Sequence, residues 1–396
     1  MTVSRPLNYG RHLVEDDDIQ AVVSVLKGDL ITQGPTVERF ERAISDYVGA
    51  KHAIAVSSAT AGLHIACIAA GLEPGKKGIT SPLTFVASAN AMRYCGAAVK
   101  LVDIDAETLN ISFKELQLSL EDDPEISVVM PVHFAGLPAD MQKIRKISGD
   151  RIVIEDASHA LGARYECGSP VGCGKYSDMC VFSFHPVKPI TTGEGGVVTT
   201  NDDDLAHKLR LFRTHGIERD PQYLDPDEAF EGDDRLPWYY EQQHLGFNYR
   251  LTDIQAALGL SQLAKLDRFI ETRKNIARQY DEAFSALPFI KANQTSEAFR
   301  RRSGHHLYTV NIALEKIGLT RLEIVKKLYQ FKIGTQIHYI PIYRQPYYKE
   351  LSPFSVLDFP VTESYYQSCL SIPIFQDLQD QEVRHVIESL KKIISV

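Results

Sequence analysis

The sequence predicts an α/β fold in which a large domain with a mostly parallel central sheet precedes a smaller C-terminal α+β domain. From about residue 50 to 200, apolar runs of strand length alternate with helical patterns. The runs are continuously rich in Val and Ile, which is typical of strands buried on both faces of a parallel sheet. This alternation ends near residue 205. We therefore predict a large domain over residues 1–250, followed by a linking helix and a small domain over residues 251–396.

The large domain is expected to contain several buried strands with helices between them. The strand candidates are residues 53–58, 98–105, 126–134, 151–157, 179–184 and 196–201. Helical patterns cover residues 60–72 and 112–120. An alternation of this kind favours a sheet covered by helices on both faces.

The C-terminal part begins with a helix signal. Thr252 and Gln255 have the spacing of a capping box, and an amphipathic pattern continues from them to about residue 285. Beyond it we predict strands in 307–314 and 333–340 and helices near 320–331 and 378–394. The acidic, Asp- and Pro-rich residues 215–240 are interpreted as a long excursion.

Composition excludes several classes of function. The chain of 396 residues carries 43 basic and 51 acidic side chains, a net charge of −8 that argues against a nucleic-acid-binding surface. It lacks the apolar run of a signal peptide and the roughly 20 apolar residues of a membrane helix, so we expect a cytoplasmic protein. The six cysteines form no CxxC pair. We expect reduced thiols and no metal, and we disfavour a zinc site built from Cys167, Cys173 and Cys180.

Lys188 is the first candidate for chemistry. It lies between Val187 and Pro189 in the stretch FSFHPVKPITTGEGGVV, residues 182–198. Apolar surroundings disfavour the ammonium form and lower the pKa of a lysine, which makes the amine a nucleophile able to form a Schiff base. The competing interpretation is a lysine on a hairpin turn whose ammonium group reaches water. The Lys188 segment, taken by itself, favours this second interpretation.

Other segments carry features that a pyridoxal phosphate site requires. This cofactor needs a carboxylate at its pyridine nitrogen, and a helix N-terminus suits its phosphate. Asp156 ends the apolar run RIVIED, although it could equally cap a following helix. VSSATAGLHIA, residues 56–66, has a strand followed by a helix start, as does any ordinary β–α turn. Phe85 is a candidate for stacking on the ring or for a place in the core.

The ordered motifs VSSATAGLH, TSPLTFVASANA, EDASHALGA, SFHPVKPITTGEGG, FRTHGI, GFNYRLTDIQAALG and HYIPIY resemble those of the DegT/StrS family of sugar aminotransferases. The resemblance covers nearly the whole chain. It implies the fold type I aminotransferase architecture, pyridoxal 5′-phosphate as cofactor, and a homodimer with shared active sites.

The resemblance also implies roles for individual residues. Lys188 would carry the cofactor as a Schiff base, Asp156 would pair with the pyridine nitrogen, and His159 would lie near the ring hydroxyl. Phe85 would stack on the ring. The implied phosphate contacts are Ser183, Ala59, Thr60 and Ala61, with Asn248 reaching the phosphate from the other subunit.

Within the family, SAT at 58–60 and the Lys188 segment are most similar to the pseudaminic acid branch. This similarity implies transfer of an amino group from L-glutamate to C4 of a UDP-linked 4-keto-6-deoxy-N-acetyl hexosamine. The implied substrate contacts are Tyr9, Asp29, Leu30, Ile31, Thr32, His338 and Tyr339. ITQGP at 31–35 could instead be a plain turn, and HYIPIY an edge strand. Arg213 and Arg250 are candidates, on position alone, for contacts with an anionic substrate.

Three alternatives stay open at this point. Another nucleotide 4-ketosugar aminotransferase, such as that for UDP-4-amino-arabinose, would share these motifs. A 3-dehydratase of the same fold replaces the Schiff-base lysine with histidine, whereas this sequence keeps Lys188 despite the nearby His185. A non-enzymatic regulator with this fold would be expected to lose Lys188 or Asp156, and both are present.

Overall fold

The computed structural model describes residues 3–351 and 354–394. Its strands are β1 (His52–Val56), β2 (Lys77–Thr80), β3 (Ala98–Leu101), β4 (Ile126–Met130), β5 (Ile152–Asp156), β6 (Met179–Ser183), β7 (Gly196–Thr200), β8 (Ile217–Glu218), β9 (Phe230–Glu231), β10 (Asp234–Arg235), β11 (Glu241–Gln242), β12 (Ile290–Ala292), β13 (Tyr308–Ile312) and β14 (Cys369–Ile372). Its helices are α1 (Asp16–Leu26), α2 (Pro35–Val48), α3 (Ala59–Ala69), α4 (Val86–Tyr94), α5 (Phe113–Asp122), α6 (Met141–Ser148), α7 (Asp203–Arg213), α8 (Pro226–Ala229), α9 (Asp253–Leu263), α10 (Leu266–Phe284), α11 (Glu297–Arg302), α12 (Leu314–Ile317), α13 (Arg321–Gln330), α14 (Pro346–Leu351), α15 (Pro360–Ser368) and α16 (Asp380–Ile394).

A seven-stranded sheet forms the centre of the molecule, in the order β1-β7-β6-β5-β4-β2-β3. Strand β7 runs antiparallel to both neighbours, and the other pairings in the sheet are parallel. The predicted α/β class with a mostly parallel sheet is therefore confirmed. The carboxyl ends of β5 and β6 lie side by side, because Asp156 pairs with Val181.

Burial on both faces explains why the strand sequences are continuously apolar. In β6, Cys180 and Phe182 pack into the core on one side of the sheet. Met179 and Val181 pack into the core on the other side. Alternate side chains point to opposite faces of a strand, so a strand covered by helices on both sides has no position for a solvated polar residue.

Strand β2 was missed by the sequence reasoning. Its four residues, KGIT, include a lysine and a glycine and do not form an apolar run. The strand nevertheless pairs with both β3 and β4. A Cβ atom at Gly78 would lie 2.5 Å from the sulfur of Met92, so helix α4 packs directly on this backbone. A side chain at this position would have to displace Met92, and the local sequence does not reveal this close packing.

The second sheet has three antiparallel strands in the order β12-β13-β14. The predicted strand over residues 333–340 is wrong. This segment makes only isolated bridges, from Ile333 to Leu7 and from Gln336 to Ser371. Because its two backbone partners come from different parts of the chain, no continuous ladder forms, and the apolar pattern alone did not distinguish this case.

The capping box at Thr252 and Gln255 is confirmed: the Thr252 hydroxyl accepts from the Gln255 N–H, and the Gln255 side chain accepts from the Thr252 N–H. The single predicted helix to residue 285 is instead divided into α9 and α10. Helix α9 packs on α1 and α2, whereas α10 packs on α16 and β12, so the chain changes direction between two cores. The domain boundary at residue 250 stays a prediction.

The described residues contain no helix that is long and apolar enough to cross a membrane. Over the same residues, no group of His, Cys, Asp and Glu side chains is arranged to hold a metal ion. All six cysteines are free thiols, and Cys67, Cys180 and Cys369 are buried.

Asp103 connects the two parts of the molecule. Its carboxylate accepts hydrogen bonds from the backbone of Val361 (2.8 Å) and Thr362 (3.0 Å) in the first turn of α15. We expect Asp103→Ala to lower the free energy of unfolding by about 1–3 kcal/mol, because buried helix N–H groups lose their acceptor. Urea unfolding measures the loss. Asp122→Ala, at an exposed aspartate, is the control; equal stability of the two variants would contradict the linking role.

Candidate active site

A cavity of about 590 Å³ lies between the carboxyl edge of the large sheet and the segment 336–345. It brings together residues that are far apart in the sequence. The predicted site residues that line it are Tyr9, Ala59, Thr60, Phe85, Asp156, His159, Ser183, Lys188, His338 and Tyr339.

Lys188 lies in the loop after β6 and is buried, with 9% of its surface exposed. Its Nζ atom is 3.4 Å from Nε2 of His306. Burial lowers the pKa of Lys188 to about 8; the negative charge of Asp156 opposes this shift and the positive charge of Arg273 adds to it. The interpretation of Lys188 as a hairpin lysine that reaches water is therefore wrong. The amine faces the cavity, and part of it is neutral at physiological pH.

Asp156 ends β5 and lines the cavity with its buried carboxylate. Oδ2 accepts a hydrogen bond from the hydroxyl of Ser88 at 2.6 Å, and Oδ1 accepts from the backbone N–H of Ser158 at 3.1 Å. The Ser158 contact is a turn, and no helix follows, so the helix-cap alternative is wrong. Ser88, on α4, was not identified from the sequence. Together the two donors fix the plane of the carboxylate.

His159 is held from two sides. Its Nδ1 atom accepts from the backbone N–H of Ala135 at 3.3 Å, and Nε2 lies 2.9 Å from the hydroxyl of Tyr339. Burial lowers the pKa of His159 far below its usual value, and the charge of Lys188 lowers it further. A neutral ring that accepts at Nδ1 carries its proton on Nε2. His159 therefore donates to Tyr339, whose own hydrogen is left for another acceptor.

The start of α3 forms one end of the cavity. Ala59 and Thr60 line it, while the N–H of Ala61 donates to the side chain of Ser58 at 3.1 Å. A Cβ atom at Gly196 would lie 2.7 Å from the nitrogen of Ala59, so glycine allows β7 to pass directly against the helix start. The first-turn N–H groups of a helix have no partner within the helix and suit an anion.

Phe85 lies immediately before α4 and lines the cavity with 57% of its surface exposed. Its ring centroid is 6.1 Å from that of Tyr339. An aromatic side chain this exposed at the mouth of a cavity has a free face for stacking. The core interpretation of Phe85 is wrong.

The remaining predicted contacts do not line the cavity of the single chain. Asp29, Leu30, Ile31 and Thr32 precede α2, and Leu30 and Ile31 are about half exposed (54% and 49%). Asn248 is exposed and forms a bridge with Thr214. Arg213 instead pairs with Glu41 at 2.5 Å, away from the cavity.

The sequence matches the DegT/DnrJ/EryC1/StrS aminotransferase family over residues 13–391. The chain belongs to this family. It is therefore a transaminase that uses pyridoxal phosphate, as the sequence predicted. The fold agrees, since related structures superpose over nearly the full chain.

Three relatives show the extent of the similarity to DegT/DnrJ/EryC1/StrS proteins. The UDP-4-amino-4,6-dideoxy-N-acetyl-β-L-altrosamine transaminase of Campylobacter jejuni is 36% identical over 391 residues, covering 98% of this chain and 97% of that protein. The structure of Helicobacter pylori PseC, an aminotransferase involved in the biosynthesis of pseudoaminic acid, has a TM-score of 0.88 and 29% identity, covering 99% of this chain and 100% of that one. The PLP form of Streptococcus pneumoniae Spr1654 has a TM-score of 0.86 and 26% identity, covering 98% and 99%.

The residues present fit this cofactor. The cavity offers an ordered carboxylate, a buried amine, an exposed aromatic face and, at Ala59 and Thr60, the start of helix α3. Each feature suits one chemical part of pyridoxal phosphate.

In the cofactor-free protein we expect Lys188 to titrate near pH 8, because burial disfavours its ammonium form. Acetylation of Lys188, followed by peptide mass spectrometry, should accelerate up to about pH 8 to 9 and then level off. A model lysine amide, with a pKa of about 10.4, should still accelerate over that range. Parallel profiles for Lys188 and the model amide would contradict the buried-amine assignment.

Proposed function

We propose that the protein is a nucleotide-sugar aminotransferase that moves an amino group from L-glutamate to C4 of a UDP-linked 4-keto-6-deoxy-N-acetyl hexosamine. The observation that carries the reaction class is the buried, weakly basic amine of Lys188 facing a cavity that also contains Asp156. The sugar class is supported by the 36% identity to a transaminase named for such a substrate.

Each part of the cavity has a proposed role in holding pyridoxal phosphate. Asp156 would keep the pyridine nitrogen protonated, and Phe85 would stack on the ring. His159 and Tyr339 would meet the ring hydroxyl. The phosphate would be held by Ala59, Thr60, Ala61 and Ser183. When bound, the cofactor supplies an electron sink and carries the amino group between the two substrates.

Lys188 is proposed to move the proton. With its pKa lowered to about 8, a substantial fraction of the amine is neutral near pH 7.5 and can remove a proton from the reacting carbon of glutamate. The same nitrogen can then return a proton. Donor and ketosugar would use the cavity in turn, which gives ping-pong kinetics.

We infer a homodimer with shared sites. A UDP-sugar is doubly anionic, yet among the described residues that line the cavity there is no arginine. Arg250 and Asn248 lie outside the cavity of their own chain, and so do the exposed Leu30 and Ile31. A second copy that presented these residues would supply the missing positive charge and bury the apolar side chains.

Other nucleotide 4-ketosugars would use the same cofactor residues. The acceptor is therefore tested directly. Enzyme loaded with pyridoxamine phosphate is mixed with the UDP-linked 4-keto-6-deoxy-2-acetamido sugar, without glutamate. We expect stoichiometric formation of the 4-amino sugar by mass spectrometry and return of the visible absorbance of the pyridoxal form. UDP-4-keto-arabinose is the comparison substrate. A response to keto acids only would make this an amino-acid aminotransferase and reject the sugar assignment.

Shared sites predict complementation. Lys188→Ala and Asn248→Ala chains should each be inactive or weak alone. After subunit exchange in equal amounts, about a quarter of the wild-type activity should return, because half of the dimers are mixed and one of their two sites is intact. Native mass spectrometry verifies that mixed dimers form. Mixed dimers without recovered activity would show that Asn248 does not act across the interface.

A further inference from the structure

His306 is a buried histidine of the cavity that the roles proposed so far do not use. It precedes β13, has 2% of its surface exposed and lines the cavity. Nε2 lies 3.4 Å from Nζ of Lys188, and the ring centroid is 4.4 Å from that of His159. Within the described residues, Nδ1 has no hydrogen-bond partner. The lysine amine is thus the polar contact of this side chain.

Arg273 lies behind His306. It is on α10, is completely buried and does not line the cavity. Its Nη1 donates to the carbonyl oxygens of His306 (3.2 Å) and Ile374 (3.0 Å) and, more distantly, His305 (3.4 Å). Nη2 donates to the amide oxygen of Gln376 at 2.9 Å. All these acceptors are neutral, so the guanidinium fixes the backbone of His306 and its charge is not balanced by them.

A buried cation without a carboxylate is costly, and its field disfavours other positive charges nearby. Burial lowers the pKa of His306 far below its usual value, and the positive charges of Lys188 and Arg273 act in the same direction. His306 is therefore neutral throughout the physiological range. It can share a hydrogen bond with the amine of Lys188 without taking its proton.

Other titratable groups also act on Lys188 and His306. Asp156 opposes the lowering of the Lys188 pKa, whereas Arg273 reinforces it. His159 and His338 are themselves kept neutral by burial, with the pKa of His338 lowered to about 3. The positive charge of Arg273 thus has the opposite effect on the pKa of Lys188 to the negative charge of Asp156.

We propose that His306 is a positioning residue for Lys188 and that Arg273 fixes it in place. Nε2 of His306 holds the free ε-amine in the cavity, where the amine takes a proton from the reacting carbon of the substrate and later returns it. His306 gains no proton in either step. The charge of Arg273 adds to burial in opposing the protonation of both groups. The inference rests on the proposed role of Lys188.

The first test follows the proton transfer itself. Holoenzyme is incubated with L-glutamate in D₂O, and exchange of the Cα hydrogen is measured by NMR. We expect His306→Phe to slow exchange by about 10–100-fold at saturating glutamate. The glutamate concentration that gives the half-maximal rate should change little, because a misplaced base slows proton transfer without weakening substrate binding. His306→Asn, which keeps a polar group, should recover part of the rate.

The control is His305→Asn. His305 is equally buried, but its Nε2 pairs with the carbonyl of Arg300 and its ring does not line the cavity. Its φ of 49° is one that asparagine tolerates. This variant should exchange at close to the wild-type rate. Wild-type exchange in His306→Phe, or an equal loss in His305→Asn, would overturn the positioning role.

The second test needs no cofactor or substrate. In cofactor-free protein, the pH dependence of the acetylation rate gives the pKa of Lys188. Arg273→Met should raise it by about one unit, since a nearby positive charge is removed. Arg273→Lys keeps the charge, so the low pKa should persist while deuterium exchange slows, and this variant carries the test if Arg273→Met does not fold. An unchanged pKa in Arg273→Met, or unimpaired exchange in Arg273→Lys, rejects the role of Arg273. A wild-type Lys188 that titrates near pH 10 would instead reject the proposed role of Lys188 in moving the proton.

Discussion

The constraint on which the site depends is the burial of a lysine amine at the carboxyl edge of the large sheet. An ammonium group in this position would need a carboxylate partner, and the hydrogen-bond contact that the amine makes is the neutral ring of His306. The surrounding histidines are buried and neutral, and the carboxylate of Asp156 is already oriented by Ser88. The balance lowers the pKa of the amine to about 8, so that a fraction of it has the deprotonated form that the chemistry requires.

The topology of the sheet brings these groups together. Parallel strands β5 and β6 deliver Asp156 and Ser183 to one edge, and the N-terminus of α3 opens at the same edge. Side chains that are distant in sequence therefore meet because all these elements point the same way. The antiparallel strand β7 adds a constraint, since Gly196 must pass close to the start of α3.

The C-terminal part contributes to the site in two ways. The segment 336–345 contributes His338 and Tyr339, and the latter's hydroxyl meets His159. Helix α10 contributes Arg273, whose contacts reach both His306 before β13 and Ile374 after β14. The buried cation therefore links helix α10 to the segments that flank β13 and β14, and the first of these carries the His306 ring that contacts Lys188. These hydrogen bonds explain why helix α10, which carries no reacting atom, can still affect the reactivity of the Lys188 amine.

The sequence by itself determined the positions of six of the seven strands of the large sheet, the capping box at Thr252, and Lys188 and Asp156 as candidate site residues. Each of these has a local signature: a continuous apolar run, a fixed spacing, or a motif. Tertiary structure alone decided the roles that depend on contacts between distant segments. Strand β2 is recognisable as a strand only from its pairing with its neighbours. Residues 333–340 are recognisable as an irregular segment only because they have no continuous strand partner. His306 and Arg273 lie in none of the quoted motifs, and Ser88 lies in TSPLTFVASANA without a signature of its own. Their significance comes from what the fold packs against them.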